Sequence, residues 1–160
     1  MTPEQKSLVK ETWAMVLPIQ EKAADLFYTR LFEQYPEVRP MFKGDMQVQG
    51  EKLMKMLDQA VGSLDNVEAL IEPLKAAGKA HKGYGVAEGD YQKVAASLLW
   101  TLEQGLGDAY TDDVKEAWTV TYTTLAGVMI EGAEYNAPAP APETKKPSWF
   151  QSLFKSKVAS

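Results

Sequence analysis

The stretch HKGYGVAEGDY, residues 81–91, decides how the rest of this chain is read. It opens on His81, the only histidine in 160 residues. Histidine is the usual side chain for holding a metal and for moving a proton near neutral pH. Upstream on the same helical face stand Leu74, Ala77 and Gly78, two of them very small. A glycine inside a helix costs roughly 1 kcal/mol relative to alanine, so Gly78 needs a reason. Small residues beside the imidazole would let a flat, bulky group approach it. The helix breaks at GYGVAEGD. Near such an end the Ala77 carbonyl, four residues back, can accept the imidazole Nδ1–H and leave Nε2 for an iron. The plainer reading is a core or surface histidine near a helix terminus, and the local sequence leaves both open.

Working outward, the periodicity is helical throughout. TPEQ at residues 2–5 is a helix start, with Thr2 as cap, Pro3 in the first position and Gln5 closing a capping box. Val9, Trp13 and Val16 follow at helical spacing. A second helix is expected from about Pro18 to Gln34, and Pro36, Pro40 and Gly44 restrict YPEVRPMFKGD to short turns. A third carries the stripe Leu53, Leu57, Ala60, Val61 and Leu64. The fourth runs through Leu70, Ile71 and Leu74 to His81, and the fifth covers Tyr91 to about Gln104. The last starts from a Thr111 cap and reaches about Tyr135. No segment alternates long enough to suggest a sheet. The reading is an all-α domain over residues 1–135.

Composition narrows the chemistry. With no cysteine there is no disulfide, thiolate metal site or cysteine nucleophile. No G-x-S-x-G, glycine-rich phosphate loop or HExxH occurs, and one histidine cannot serve the usual triads. The chain has a formal charge of −5. Residues 143–160 set Glu143 against four lysines, a formal +3, which leaves −8 on residues 1–142. An acidic body argues against nucleic acid as a partner.

Several separated stretches then agree. FYTRLFEQYPEVRPMF (27–42), QGEKLMKML (49–57), HKGYGVAEGDY (81–91) and LLWTLEQGLGDAYTDDVKEAW (98–118) together resemble the single-domain bacterial globins, related to flavohaemoglobin haem domains. The resemblance covers residues 1 to about 135 and implies a globin fold, about six to eight helices around a haem b. It implies His81 as the iron ligand and Phe42 as the aromatic packed on the haem face. Tyr28 and Gln49 match the distal tyrosine and glutamine, Leu53 the apolar residue over the iron, and Tyr91 a proximal tyrosine that hydrogen-bonds near the iron ligand. Helical spacing also places Gln49 on the stripe of Leu53 and Leu57, with Gln47 facing elsewhere.

The implied function is reversible binding of dioxygen and other diatomic gases, for storage, scavenging or transport. A tyrosine hydroxyl or glutamine NH₂ can donate to a partly negative bound gas. Such a donor in a dry pocket is worth on the order of 1–3 kcal/mol, or roughly ten- to a hundredfold in dissociation. The alternatives are nitric oxide dioxygenation with a separate reductase, or a gas sensor that signals through the C-terminal tail. One departure stands out. Relatives place a glutamate in the last helix against the proximal tyrosine; the matching position here is Ala133, with Glu131 and Glu134 nearby.

Beyond residue 135 the composition changes. Residues 136–147 read as a Pro/Ala-rich linker. Residues 148–160 read as a short basic amphipathic tail, with Trp149, Phe150, Leu153 and Phe154 on one face and lysines around them. Aromatics with lysines suit a peripheral membrane or protein contact through residues 148–157. The N-terminus lacks a secretory pattern, so the expected location is cytoplasmic, with membrane association through the tail as an option.

Overall fold

Thr2 begins the first helix through a reciprocal cap. Its hydroxyl accepts from the Gln5 N–H at 3.1 Å, and the Gln5 side-chain oxygen accepts from the Thr2 N–H at 2.9 Å. In the computed structural model, which describes residues 1–42 and 44–135, six α-helices follow one another, with a short 3₁₀ turn at every junction except that of the fourth and fifth. They are α1 (Pro3–Val16), α2 (Gln20–Gln34), α3 (Met46–Gly62), α4 (Glu68–Gly83), α5 (Asp90–Leu106) and α6 (Asp112–Ala133). The described residues contain no strand, and the architecture is all-α. The linker 136–147 and the tail 148–160 expected from the sequence lie outside the described residues.

Local chemistry sets the ends. Pro18 sits in a 3₁₀ turn, Leu17–Ile19, so α2 starts at Gln20 rather than at the proline. The two prolines of residues 36–41 hold that segment as a second 3₁₀ turn. Asp45 caps α3 by accepting from the Gln47 N–H at 2.8 Å, and Thr111 caps α6 by accepting from the Val114 N–H at 3.2 Å. The Asp90 carboxylate accepts from the Ala87 N–H at 2.8 Å, which starts α5 one residue before Tyr91. At its far end α6 stops at Ala133 because Glu134 takes the left-handed conformation, φ 55°.

The apolar residues gather in two bodies. The larger joins α1, α2, α3, α5 and α6 around Trp13, Phe27, Leu31, Leu102 and Trp118. Both indoles in it are satisfied: Trp118 Nε1 donates to Thr12 Oγ1 at 2.9 Å, and Trp13 Nε1 to Asp58 Oδ1 at 2.8 Å. The smaller holds Tyr91, Ala126 and Met129, with Leu74, Ala77 and Val86 packed on them, and Tyr122 touches both bodies. α4 packs chiefly on α6. Gly78 and Gly132 allow that contact. A Cβ on Gly78 would lie 1.8 Å from the Met129 carbonyl oxygen, and one on Gly132 would lie 2.4 Å from Lys75 Cα. This corrects the sequence reading of Gly78. Its hydrogen admits the backbone of α6, not a flat group beside the imidazole.

Candidate functional site

α3 and α4 lie on different bodies of the core and are not packed against each other. Each nevertheless carries an apolar stripe that helix packing leaves half-buried: Leu53 and Leu57 on α3, Leu70, Ile71 and Leu74 on α4. An amphipathic helix buries its apolar face against something. Leu53 and Leu57 pack on the larger body and Leu74 on the smaller, and each keeps part of its apolar surface uncovered.

His81 stands on the α4 side, half-buried in the last turn. Its Nδ1 lies 2.6 Å from the Ala77 carbonyl oxygen. An Nδ1–H donated to that carbonyl fixes the tautomer, so the basic nitrogen is Nε2. The chain beyond it is folded back under the same residue. The N–H groups of Tyr84 and Val86 both donate to the His81 carbonyl, at 3.0 and 3.1 Å. Gly85, φ 96°, makes that reversal in a conformation that residues with a Cβ rarely adopt.

The other expected residues divide between the two sides. Tyr28, Phe42 and Leu53 belong to the larger body, where the Tyr28 ring meets Phe42 edge-on at 5.5 Å and stacks on Phe32 at 5.9 Å. Arg39 holds this corner, donating to the Phe42 carbonyl and covering the Phe32 ring at 4.9 Å. Gln49 is buried in the first turn of α3, while Gln47 is exposed. The Tyr28 hydroxyl donates to the Gln49 main-chain oxygen over a long 3.4 Å. Burial holds the Tyr28 phenol well above its ordinary pKa, so it remains a donor throughout the neutral range.

Tyr91 belongs to the smaller body. Its hydroxyl is buried and has no hydrogen-bond partner among the described residues. Burial first, and then Tyr135 beside it, push its pKa far up. Ala133 is buried and offers no acceptor. Glu131 pairs instead with Lys75 at 3.7 Å, and Glu134 contributes its carbonyl to Lys82. Tyr135 and Tyr122 are the residues the sequence reading missed. The Tyr135 hydroxyl donates to the Val86 carbonyl and that of Tyr122 to the Tyr91 carbonyl, each at 2.7 Å. Their helical spacing made them look like ordinary core tyrosines.

The donor set fits a haem. One imidazole has its Nδ1 pinned by a carbonyl, half-buried apolar stripes stand on α3 and α4, and a phenol and an amide, Tyr28 and Gln49, belong to α2 and α3. No group of three or more metal-binding side chains occurs among the described residues, so a bare metal ion has no equivalent cage.

A globin family model matches residues 25–129, and the chain belongs to the globin family. A flavohemoprotein of Halalkalibacterium halodurans is 31% identical over 134 residues, 82% of this chain and 33% of that protein. The chain thus spans about a third of the length of that relative. A bacterial globin from Campylobacter jejuni superposes with a TM-score of 0.74 and 28% identity, covering 85% of this chain and all of that one. An engineered carbene transferase from Rhodothermus marinus, a provisional nitric oxide dioxygenase, gives a TM-score of 0.75 and 25% identity over 83% of this chain and 93% of that one.

Proposed function

We propose that this globin binds a haem b through His81 Nε2 and holds dioxygen and other diatomic gases reversibly. The observation that carries the reading is the 2.6 Å contact from His81 Nδ1 to the Ala77 carbonyl. It orients the ring and raises the basicity of Nε2. The haem, when bound, supplies the iron at which a gas is held. The chain supplies the surroundings. Leu53, Leu57 and Leu74 would exclude water from the group, and Phe42 would pack against it. Tyr28 and Gln49 would donate hydrogen bonds to a partly negative bound gas. The Tyr28 hydroxyl is available for this because its one bond, to Gln49, is long. Slow gas release follows, which suits storage or scavenging better than rapid delivery.

The deciding experiment is the visible spectrum of the full chain with haem supplied, beside His81→Ala. A Soret band that responds to carbon monoxide and weakens or shifts in the variant supports the reading. A wild-type chain that takes up no haem ends it.

A second reading has its own support. The likeness to the Rhodothermus marinus protein and to flavohemoproteins favours nitric oxide dioxygenation, with electrons from a separate reductase. Nitrate formation sustained over many turnovers with an added reductase supports it, and a single turnover with every reductase tried counts against it. Cytoplasmic placement and contact through residues 148–157 belong to the same proposal. No helix among the described residues is long and apolar enough to cross a membrane.

A further inference from the structure

Lys93 joins two parts of the chain that helix packing leaves apart. Its ammonium lies 2.8 Å from Asp90 Oδ1 and 3.0 Å from Glu37 Oε2. Asp90 opens α5, whereas Glu37 belongs to the 3₁₀ turn Pro36–Met41 that leads into Phe42. The same ammonium stands 5.9 Å from the ring of Tyr35, where α2 ends and that turn begins. The charge thus meets this corner at two points, a ring and a carboxylate. The turn itself packs chiefly on α2, so these side chains tie it to α5 where close packing does not.

The other end of the tie reaches the segment that follows His81. Asp90 Oδ2 accepts from the Ala87 N–H at 2.8 Å. Beside it the Val86 N–H donates to the His81 carbonyl at 3.1 Å. A continuous path of bonds therefore runs from the His81 backbone through Val86, Ala87, Asp90 and Lys93 to Glu37.

We propose that Lys93 is a positioning residue: it clasps the corner bearing Phe42 to the turn that follows His81, and opening of its Glu37 arm sets how fast the chain releases its haem. The inference rests on the reading of His81 as the iron ligand.

Exposure decides which arm opens. The Asp90 side chain is 10% exposed, and its pair with Lys93 lies within one turn of α5. The Glu37 side chain is 56% exposed and comes from a separate element. Water and salt reach the Glu37 pair and weaken it, while the Asp90 pair is screened less. An exposed ion pair contributes little to the stability of a whole fold. What this one governs is local. Phe42 and His81 are assigned to the haem from two different elements, so the spacing of their segments determines whether both can grip it at once.

The test uses the haem-loaded full chain with Lys93→Met, which keeps an unbranched stem without the charge, and with Lys93→Arg and Glu37→Gln. The first readout is the rate of haem transfer to excess apomyoglobin, with and without about 1 M sodium chloride. Lys93→Met and Glu37→Gln are expected to release haem about two- to fivefold faster, and Lys93→Arg to stay near the wild-type rate. High salt should speed release from the wild type by a similar factor and leave Lys93→Met where it was. The second readout is amide hydrogen exchange in residues 36–42 and 84–90, which should rise in both segments in Lys93→Met. Unchanged release in Lys93→Met, salt acting equally on both chains, or unmoved exchange in residues 36–42 overturns the proposal. Should Lys93→Met fold poorly, Glu37→Gln breaks the same arm at an exposed carboxylate. A wild-type chain that takes up no haem ends the reading of His81 and this inference together. Haem that binds and is lost at one rate from every variant ends the clasp alone.

Discussion

Nδ1 of His81 and the carbonyl oxygen of Ala77 lie 2.6 Å apart, across the last turn of α4. The contact is local, so the ring is oriented by its own helix rather than by a distant partner. Replacing His81 with glycine should remove the ligand without disturbing the α4–α6 contact, which is made by Gly78 and Gly132. The reconstituted variant is expected to lose or weaken its Soret band, and imidazole added to the buffer should restore it. A variant spectrum identical to wild type would place the iron ligand elsewhere.

Two glycines should respond to alanine with opposite signs. On Gly78 the added Cβ meets the Met129 carbonyl at 1.8 Å, and backbone cannot step aside as a side chain can. The cost should be about 1–3 kcal/mol, with α4 displaced from α6. On Gly127, on the exposed face of α6, a Cβ meets nothing within 4 Å. There the substitution removes chain entropy from the unfolded state and should stabilise by about 0.4–1 kcal/mol. Urea unfolding of the haem-free chains measures both. Equal effects at the two sites would contradict the packing described.

That pair shows what the sequence could and could not tell. The helices were legible because Val9, Trp13, Val16 and the α3 stripe recur at the helical period, and because Thr2 and Thr111 are caps with an unambiguous chemistry. His81 and its carbonyl partner were legible because both lie within one turn. Gly78 was misread because its contact is with Met129, 51 residues away. Local periodicity carries no record of such a neighbour. The Tyr135–Val86 bond was missed for the same reason, and because a left-handed Glu134 has no sequence signal; glycine or asparagine would have announced the turn.

Alkaline pH should destabilise the fold through its buried phenols. An unfolded tyrosine loses its proton near pH 10, whereas burial holds those of Tyr28 and Tyr91 to higher pH. Above about pH 10 the folded chain therefore binds more protons than the unfolded one. Stability is at its full value below that pH and falls as pH rises, by up to about 1.4 kcal/mol per pH unit for each such group. Tyr28→Phe should make the fall shallower. Urea unfolding at several pH values between about 9 and 11 gives the slope, and an unchanged slope in Tyr28→Phe would mean that this phenol titrates as if exposed.

The distal donors should separate kinetics from stability. Tyr28 contributes its ring to the contacts with Phe27, Phe32 and Phe42, all of which phenylalanine keeps. Its hydroxyl has only the 3.4 Å bond to the Gln49 carbonyl, near the limit of useful length. Tyr28→Phe should thus change folding stability at neutral pH by less than about 1 kcal/mol. Its effect on a bound gas is expected to be larger, because there the hydroxyl faces a partly charged acceptor in a site shielded from water. Dioxygen dissociation measured by stopped flow should accelerate roughly ten- to a hundredfold in Tyr28→Phe, and similarly in Gln49→Ala. If the two residues share one ligand, the double variant should gain less than the product of the single effects. Rates unchanged in both single variants would remove Tyr28 and Gln49 from the ligand, leaving the apolar walls and His81 to account for gas binding alone.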